Sequence, residues 1–186
     1  MAKASEIKTG NILRVNNELV TVDEWNHRTP GKGGAFYTGK FRNIKTGRLV
    51  EARMNTDEAV EICRVETNDY QYLYEEGDSL VVMDNNSYEQ FNVAKSLFGN
   101  AIKFLKEGMN VIVSVESDEP IMAQLPNFAE FEITYSEPAV KGDTSTNALK
   151  AATLENGVEV KVPLFVNQGD KIKVDTRTGE YVERVK

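Results

Sequence analysis

The sequence predicts an all-β fold of three small barrel-like modules, and three observations indicate it. Short runs rich in Val, Ile, Thr, Tyr and Phe alternate with polar residues, as half-buried strands do. Gly, Asn, Asp and Pro punctuate the chain between these runs. A charge shift near residue 65 and a Pro-Asn pair at 126–127 divide the 186 residues into modules of roughly 60, whose thin cores favour closed barrels without open strand edges. We therefore expect domains at 1–64, 65–126 and 127–186.

The individual elements follow from the same pattern. Strands are predicted in order at 19–25, 35–41, 70–74, 80–83, 111–116, 128–135, 158–162 and 171–175. Turn-forming residues lie between or beside them at 16–17, 46–47, 76–78, 85–86, 117–120, 156–157, 168–170 and 178–179. Only 92–105 has a helical pattern, because apolar residues recur every four positions from Val93 to Leu105, although Gly99 weakens it.

The composition excludes several classes of function. The chain has one cysteine, Cys63, and one histidine, His27, so it can form neither an internal disulfide nor a four-ligand zinc site. Ser and Cys hydrolases normally need a histidine base, so we expect a binding protein rather than an enzyme, with no metal and no cofactor. No apolar run approaches the ~20 residues of a membrane span, and the N-terminus lacks the apolar core of a secretory signal. We expect a cytoplasmic protein without a membrane partner.

Charge is distributed unevenly along the chain. The formal net charge is −7, yet residues 1–64 carry +3 and residues 65–126 carry −8. Between Arg28 and Arg53 there are seven basic residues and a single acid, Glu51. Local field decides docking on phosphates more than total charge does, so this window predicts a nucleic-acid contact. A solvated basic face on an otherwise acidic protein is the alternative. From charge alone, the candidate phosphate contacts are Arg28, Lys40 and Arg42.

The segment 26–34 is the most informative loop. Nine residues are long for a hairpin connection, Pro30 fixes one φ angle, and Gly31, Gly33 and Gly34 add no side-chain bulk. We expect a narrow finger with Lys32 as the only side chain near its apex. A phosphate-binding P-loop would need Ser or Thr after the lysine and a helix after the loop. Here Gly33 follows the lysine, and the next predicted element is a strand. A glycine-rich turn with an incidental lysine stays open, but an unobstructed lysine is also what a modifying enzyme needs.

These residues resemble a known family. The stretch 30–36, PGKGGAF, with NIKTG at 43–47, resembles the first domain of bacterial translation elongation factor P. KGDTST at 141–146 is similar to the loop motif of that family's third domain. The C-terminal stretches 150–154, 157–165 and 169–181 are similar to its closing signature. Ser145 departs mildly from the loop motif, standing where many members have Ala, and Ala151 departs from the closing signature, standing where many members have Pro. The resemblance covers the whole chain, with the motifs in order.

The resemblance implies a fold and a function. The fold is an L-shaped arrangement of three β-barrel domains, SH3-like (KOW-like) first and OB-fold twice after it. The function is that of a monomeric elongation factor that binds the ribosome, its rRNA and its proteins, between the P and E sites. There it contacts P-site peptidyl-tRNA and promotes peptide-bond formation at polyproline stalls. The ribosome supplies the chemistry, and the factor acts by positioning.

The resemblance also implies roles for individual residues. Lys32 stands at the tip position that a Lys-modifying enzyme extends, by a β-lysyl or an aminopentanol-type group, although an unmodified active lysine stays open. Pro30, Gly31, Gly33 and Gly34 would shape the loop. Two further sets match family positions: Gly142, Asp143 and Thr144 in a loop that approaches mRNA at the E-site codon, and Tyr181 and Arg184 near the tRNA anticodon stem. For Tyr181 a packing role is the alternative.

Two other functions remain open from the residues. A general OB-type single-stranded RNA-binding protein without a ribosomal role would bind free RNA in a salt-dependent way that is indifferent to Lys32. A carboxylate-based hydrolase would show turnover by the isolated protein.

Overall fold

A computed structural model describes residues 1–139 and 148–186, and in them the predicted all-β fold is confirmed. Three antiparallel sheets are present, each built from strands of one predicted range. By compactness the chain divides into two units, Met1–Asn68 with Ser114–Met122, and Asp69–Val113 with Ala123–Lys186. The three-domain division therefore stays a prediction. Within the described part of the chain, no helix is long and apolar enough to cross a membrane.

The first sheet has six strands in the order β1-β6-β2-β3-β4-β5. The strands are β1 (Ala2–Lys3), β2 (Ile12–Val15), β3 (Glu18–Arg28), β4 (Phe36–Asn43), β5 (Leu49–Asn55) and β6 (Ala59–Ile62), with a 3₁₀ turn at Ala4–Glu6. Asn16 and Asn17 turn the chain between β2 and β3 with φ of 51° and 64°, values that asparagine tolerates well. Leu13, Val22 and Phe41 lie in its core.

The second sheet has five strands in the order β11-β10-β7-β8-β9. They are β7 (Glu66–Glu76), β8 (Ser79–Asp84), β9 (Gln90–Ala94), β10 (Asn110–Glu116) and β11 (Glu119–Gln124). A bulge between Tyr72 and Tyr74 interrupts the alternation of β7. Tyr70 and Tyr72 are consequently buried, whereas Tyr74 is exposed.

The predicted helix at 92–105 is wrong in both extent and type. Residues up to Ala94 belong to β9, where Val93 pairs with Leu80, and Lys95–Phe104 is 3₁₀-helical with a break at Gly99. Gly99 has φ 57° and ψ −144°, a conformation that essentially only glycine adopts. The break lets Phe98 and Phe104 become the buried residues of the segment, in place of the four-residue apolar row.

The third sheet has five strands in the order β14-β13-β12-β15-β16. They are β12 (Phe128–Ser136), β13 (Leu149–Leu154), β14 (Glu159–Pro163), β15 (Lys171–Asp175) and β16 (Glu180–Val185). Its core contains Phe131, Ile133 and Ile172, and Phe104 packs into it with its ring centroid 6.0 Å from that of Phe131. Lys106 adds an ion pair to Glu155 at 2.7 Å.

One close approach between β3 and β4 requires a glycine at residue 39. Trp25 on β3 lies opposite Gly39 on β4, and its indole stacks between the rings of Tyr37 and Phe41, with centroids 5.5 and 5.4 Å away. A Cβ at Gly39 would stand 1.9 Å from the carbonyl oxygen of Glu24 and 2.7 Å from the Trp25 ring. Only glycine therefore fits at this position. The indole N–H also donates a hydrogen bond to the Ala4 carbonyl at 3.0 Å, which fastens the stack to the N-terminal turn.

We predict that Gly39→Ala destabilises the first sheet by about 2–4 kcal/mol, because backbone and indole must both move to admit one methyl group. Urea unfolding followed by fluorescence reports this sheet directly, since Trp25 is the only tryptophan. Gly34→Ala is the matched control, because its Cβ would meet nothing within 4 Å. Equal midpoints for the two variants would contradict the prediction.

Candidate nucleic-acid interface

The candidate site is the hairpin of β3 and β4 with the loop that joins them. Strand pairing continues to Arg28 opposite Phe36, three residues beyond the predicted strand end at Trp25. The loop between the strands is therefore 29–35, shorter than the nine residues expected. The reason is pairing across the hairpin, which periodicity within one strand does not reveal.

A row of stacked rings runs along the inner face of this hairpin. Phe41 is buried in the core, Trp25 stacks on Phe41 and on Tyr37, and His27 lies against Tyr37 with ring centroids 4.8 Å apart. Offset ring contacts of this kind each contribute about 0.5–1.5 kcal/mol beyond the area they bury. The row thus connects the core to the last strand pairs before the loop and stiffens the hairpin. It gives His27 a packing role.

Lys32 stands exposed in the loop. Its side chain forms no ion pair and no hydrogen bond with any residue of the described ranges, and Gly31, Gly33 and Gly34 beside it are exposed too. Only Gly33 uses a conformation that favours glycine, with φ of +110°. Open space surrounds the Cβ positions of all three glycines. The glycines therefore leave the lysine accessible from several sides, as the sequence predicts, and Pro30 precedes them at the exposed end of the hairpin.

The outer face of β3, β4 and β5 carries polar and charged side chains in rows. Each row consists of residues directly opposite one another on the three strands. From the base of the hairpin towards the loop the rows are Glu24, Lys40 and Glu51; then Asn26, Thr38 and Arg53; then Arg28, Phe36 and Asn55. The first two rows and Arg28 line a shallow groove of about 430 Å³.

Two of the three predicted phosphate contacts are already paired with acids. The Lys40 ammonium lies 2.9 Å from a Glu24 carboxylate oxygen, and the Arg42 guanidinium lies 2.6 Å from Asp23. The hydrogen bond that the Lys40 ammonium donates to Glu24, together with the negative charge of that carboxylate, raises the pKa of Lys40 above its usual value. Arg28 differs, because it forms no ion pair with any carboxylate of the described residues and is exposed.

The structure adds a cation that the sequence analysis did not select. The Arg53 guanidinium carbon lies 4.0 Å from the centroid of the Phe36 ring, in a cation–π arrangement. Arg53 shares the outer face with Arg28 and, like it, pairs with no carboxylate in the ranges that the structure describes. Alternation along β5 shows which residues of that strand share a face with Arg53. Which face of the sheet this is depends on the register with β4.

The third sheet holds the other predicted contacts. Tyr181 is partly buried and packs against the core of this sheet, whereas Arg184 is exposed. The Arg184 guanidinium lies 5.5 Å from the ring of Phe165 and 3.7 Å from Asp170. Phe165, more than half exposed, was not selected from the sequence. The predicted codon loop, Gly142, Asp143 and Thr144, lies outside the described residues.

Two further features bear on chemical reactivity, the single thiol and the arrangement of possible metal ligands. The Cys63 thiol is partly buried, and burial, with a smaller effect of the Glu116 charge, raises its pKa, so it is protonated near neutral pH. Across 1–139 and 148–186, no group of three or more His, Cys, Asp or Glu side chains is placed to hold a metal ion.

Three family models match this chain. Models of the elongation factor P family match three successive stretches: the KOW-like domain over residues 3–60, the OB domain over 65–123 and the C-terminal domain over 129–184. The KOW-like and OB folds that the resemblance implied are thereby confirmed.

Full-length relatives agree with these matches. Elongation factor P of Kocuria rhizophila is 43% identical over 185 residues, which cover 100% of this chain and 99% of the relative. Elongation factor P of Desulfitobacterium hafniense (strain DSM 10664 / DCB-2) is 44% identical over 184 residues, covering 99% and 100%. That of Chloroherpeton thalassium is 44% identical over 187 residues and covers both chains fully.

Solved structures show the same fold at lower identity. Eukaryotic translation initiation factor 5A from Methanococcus jannaschii aligns with a TM-score of 0.53 at 19% identity, covering 67% of this chain and 94% of its own. An initiation factor 5A family protein from Naegleria fowleri gives 0.54 at 18% identity with the same coverage. With three family domains in order and relatives matched over their full length, the chain belongs to the elongation factor P family.

Proposed function

We propose that this elongation factor binds the ribosome between the P and E sites and contacts P-site peptidyl-tRNA through the hairpin tip. It promotes peptide-bond formation where consecutive prolines stall synthesis. The observation that carries the proposal is the position of Lys32, which is exposed among glycines at the end of a hairpin stiffened by stacked rings.

The proposed mechanism is positional. Proline reacts poorly in peptide transfer because its ring restricts the backbone geometry of the reacting group. A cationic side chain that holds the tRNA end in one productive position removes orientational freedom before the reaction, and such ordering accelerates a reaction without covalent help. A stiff hairpin suits this role, because each ring contact from Phe41 outwards limits the motion of the tip. The ribosome supplies the reacting groups, so the factor itself is no enzyme.

Lys32 also suits covalent extension. A modifying enzyme must enclose the ammonium group, and the open space around Gly31, Gly33 and Gly34 allows a partner surface to approach closely. A β-lysyl or aminopentanol-type extension would lengthen the cation and carry it further from the hairpin. Intact-mass and peptide mass spectrometry of protein from its native cell distinguishes these groups from an unmodified lysine.

Further parts of the proposal rest on family resemblance. Arg184, held beside Phe165, would contact the tRNA anticodon stem, and the loop with Gly142, Asp143 and Thr144 would approach mRNA at the E-site codon. The packing of Tyr181 against the core supports a role in shaping that surface. The protein would act as a cytoplasmic monomer with the three domains at 1–64, 65–126 and 127–186.

We predict that Lys32→Ala abolishes the acceleration of polyproline synthesis while the protein stays folded. Because the lysine makes no ion pair or hydrogen bond with described residues, its loss should change the free energy of unfolding by no more than about 0.5 kcal/mol. The rate of Pro–Pro bond formation in a reconstituted translation reaction falls by about tenfold or more.

Lys45→Ala is the matched control for this experiment. Lys45 is also an exposed lysine of the first sheet, but it lies in the turn between β4 and β5. It should accelerate synthesis as the unchanged protein does. If Lys32→Ala does so too, the proposed mechanism fails. Salt-dependent binding of free RNA, indifferent to Lys32 and without any effect on translation, would instead favour a general RNA-binding protein.

We predict that Glu24→Gln strengthens binding to RNA. Glu24 holds the Lys40 ammonium at 2.9 Å, and removing the carboxylate charge makes that cation available to a phosphate. In fluorescence anisotropy titrations we expect affinity to rise by roughly threefold and the salt slope to steepen by about one unit. Asp57→Asn is the control, because it frees Lys3 from an exposed ion pair of 3.1 Å and changes the net charge equally. Equal gains in both variants would indicate only a general charge effect.

A further inference from the structure

Two arginines on the outer face of the hairpin remain available to a ligand. Arg28 and Arg53 form no ion pair with any carboxylate of the described residues, unlike Lys40 and Arg42 beside them. Arg28 lies at the end of β3 and Arg53 on β5, with β4 between them. Strands two apart stand about 10 Å from each other across a sheet, so the two long side chains rise on either side of β4.

Phe36 holds one of these arginines in place. Its ring lies under the Arg53 guanidinium, with 4.0 Å between the guanidinium carbon and the ring centroid. Stacking on a ring leaves the N–H groups at the guanidinium edge free, and that planar edge matches two oxygens of a phosphate group. An arginine ordered before binding loses less side-chain entropy when the ligand arrives.

The charged residues are distributed unevenly between the base of the groove and its loop end. The row at its base has two carboxylates, Glu24 and Glu51, around Lys40, whereas the rows nearer the loop carry both free arginines and no acid. Asn26 and Thr38 lie between and offer neutral hydrogen-bonding groups. An anion is therefore attracted to the loop end of the groove and repelled from its base.

We propose that Arg28 and Arg53, with Phe36 positioning Arg53, form a clamp for backbone phosphates of RNA at the base of the Lys32 loop. The clamp rests on the proposed function only in naming RNA as the anion held beside the tip. It is independent of RNA sequence, because its two charged groups match phosphates and because Arg53 already occupies a face of the Phe36 ring. It would hold the RNA strand while Lys32 reaches beyond it.

The test compares Arg53→Gln and Arg28→Gln with Arg48→Gln in the full chain. Arg48 is an exposed arginine that likewise pairs with no described carboxylate, but it lies in the turn between β4 and β5. The probe is a fluorescein-labelled RNA hairpin with a single-stranded 3′ tail, titrated between about 50 and 200 mM KCl. Arg53→Gln and Arg28→Gln should each weaken binding about fivefold to tenfold and lower the salt slope by about one unit. Arg48→Gln should change little.

Phe36→Leu separates positioning from charge. The variant keeps the arginine but removes the ring beneath it, so we expect roughly threefold weaker binding with an unchanged salt slope. Trp25 fluorescence in urea checks that the first sheet stays folded. Each variant should bind a hairpin of scrambled sequence as tightly as it binds the original hairpin, because contacts with phosphates do not depend on the bases.

Three results would overturn the clamp. The first is an equal loss of RNA affinity in Arg53→Gln and Arg48→Gln, and the second is no measurable RNA binding by the unchanged protein at the lowest salt. The third is an Arg53→Gln variant that binds RNA normally but in which Lys32 is modified more slowly. The last result would assign the face to the modifying enzyme. Failure of the clamp leaves the proposed function standing if Lys32 still determines the rate of polyproline synthesis. If the unchanged protein accelerates no such synthesis, the proposed function fails whatever the salt slopes are.

Discussion

The packing of Trp25 over the bare backbone of Gly39 is the constraint on which the hairpin depends. The indole fills the space that any side chain at residue 39 would need, and there it stacks between Tyr37 and Phe41. Without this approach Trp25 could not link the ring of Phe41 to that of Tyr37, on which His27 lies. The ring contacts thus connect the buried core to the strand pairs next to the loop. Packing therefore supports the tip, although its own residues are exposed.

The same constraint frees the opposite face for charge. Because the rings occupy the inner side of β3 and β4, alternation places polar residues on the outer side, in rows that include β5. In the β3–β4–β5 part of the first sheet, one face thus carries the ring stack and the other the charged residues, with Phe36 as the aromatic residue on the charged face that orders Arg53.

Local pattern predicted the all-β fold class and eight of the sixteen strands in the described residues, because these strands and their tight turns depend on neighbouring residues. Asn16-Asn17 and Gly47, for example, adopt the positive φ values that their turns require. The helix expected at 92–105 failed because pairing of Val93 with Leu80 and the break at Gly99 outweighed a four-residue apolar period. The loop was expected too long for a related reason, since the pairs at Asn26, His27 and Arg28 depend on partners across the hairpin.

Ion pairs between strands are the feature of the site that the sequence predicts least well. The window from Arg28 to Arg53 contains a single acid, yet Lys40 and Arg42 are neutralised by Glu24 and Asp23, which precede it in the chain and meet it across β3 and β4. Counting charges along the sequence therefore overstates the field at the base of the hairpin. Five of the seven basic residues form no ion pair with a described carboxylate: Arg28, Lys32 and Arg53 lie at the loop end, and Lys45 and Arg48 lie in the turn between β4 and β5. The site is consequently smaller than its sequence signature, and its attraction for anions points towards the tip.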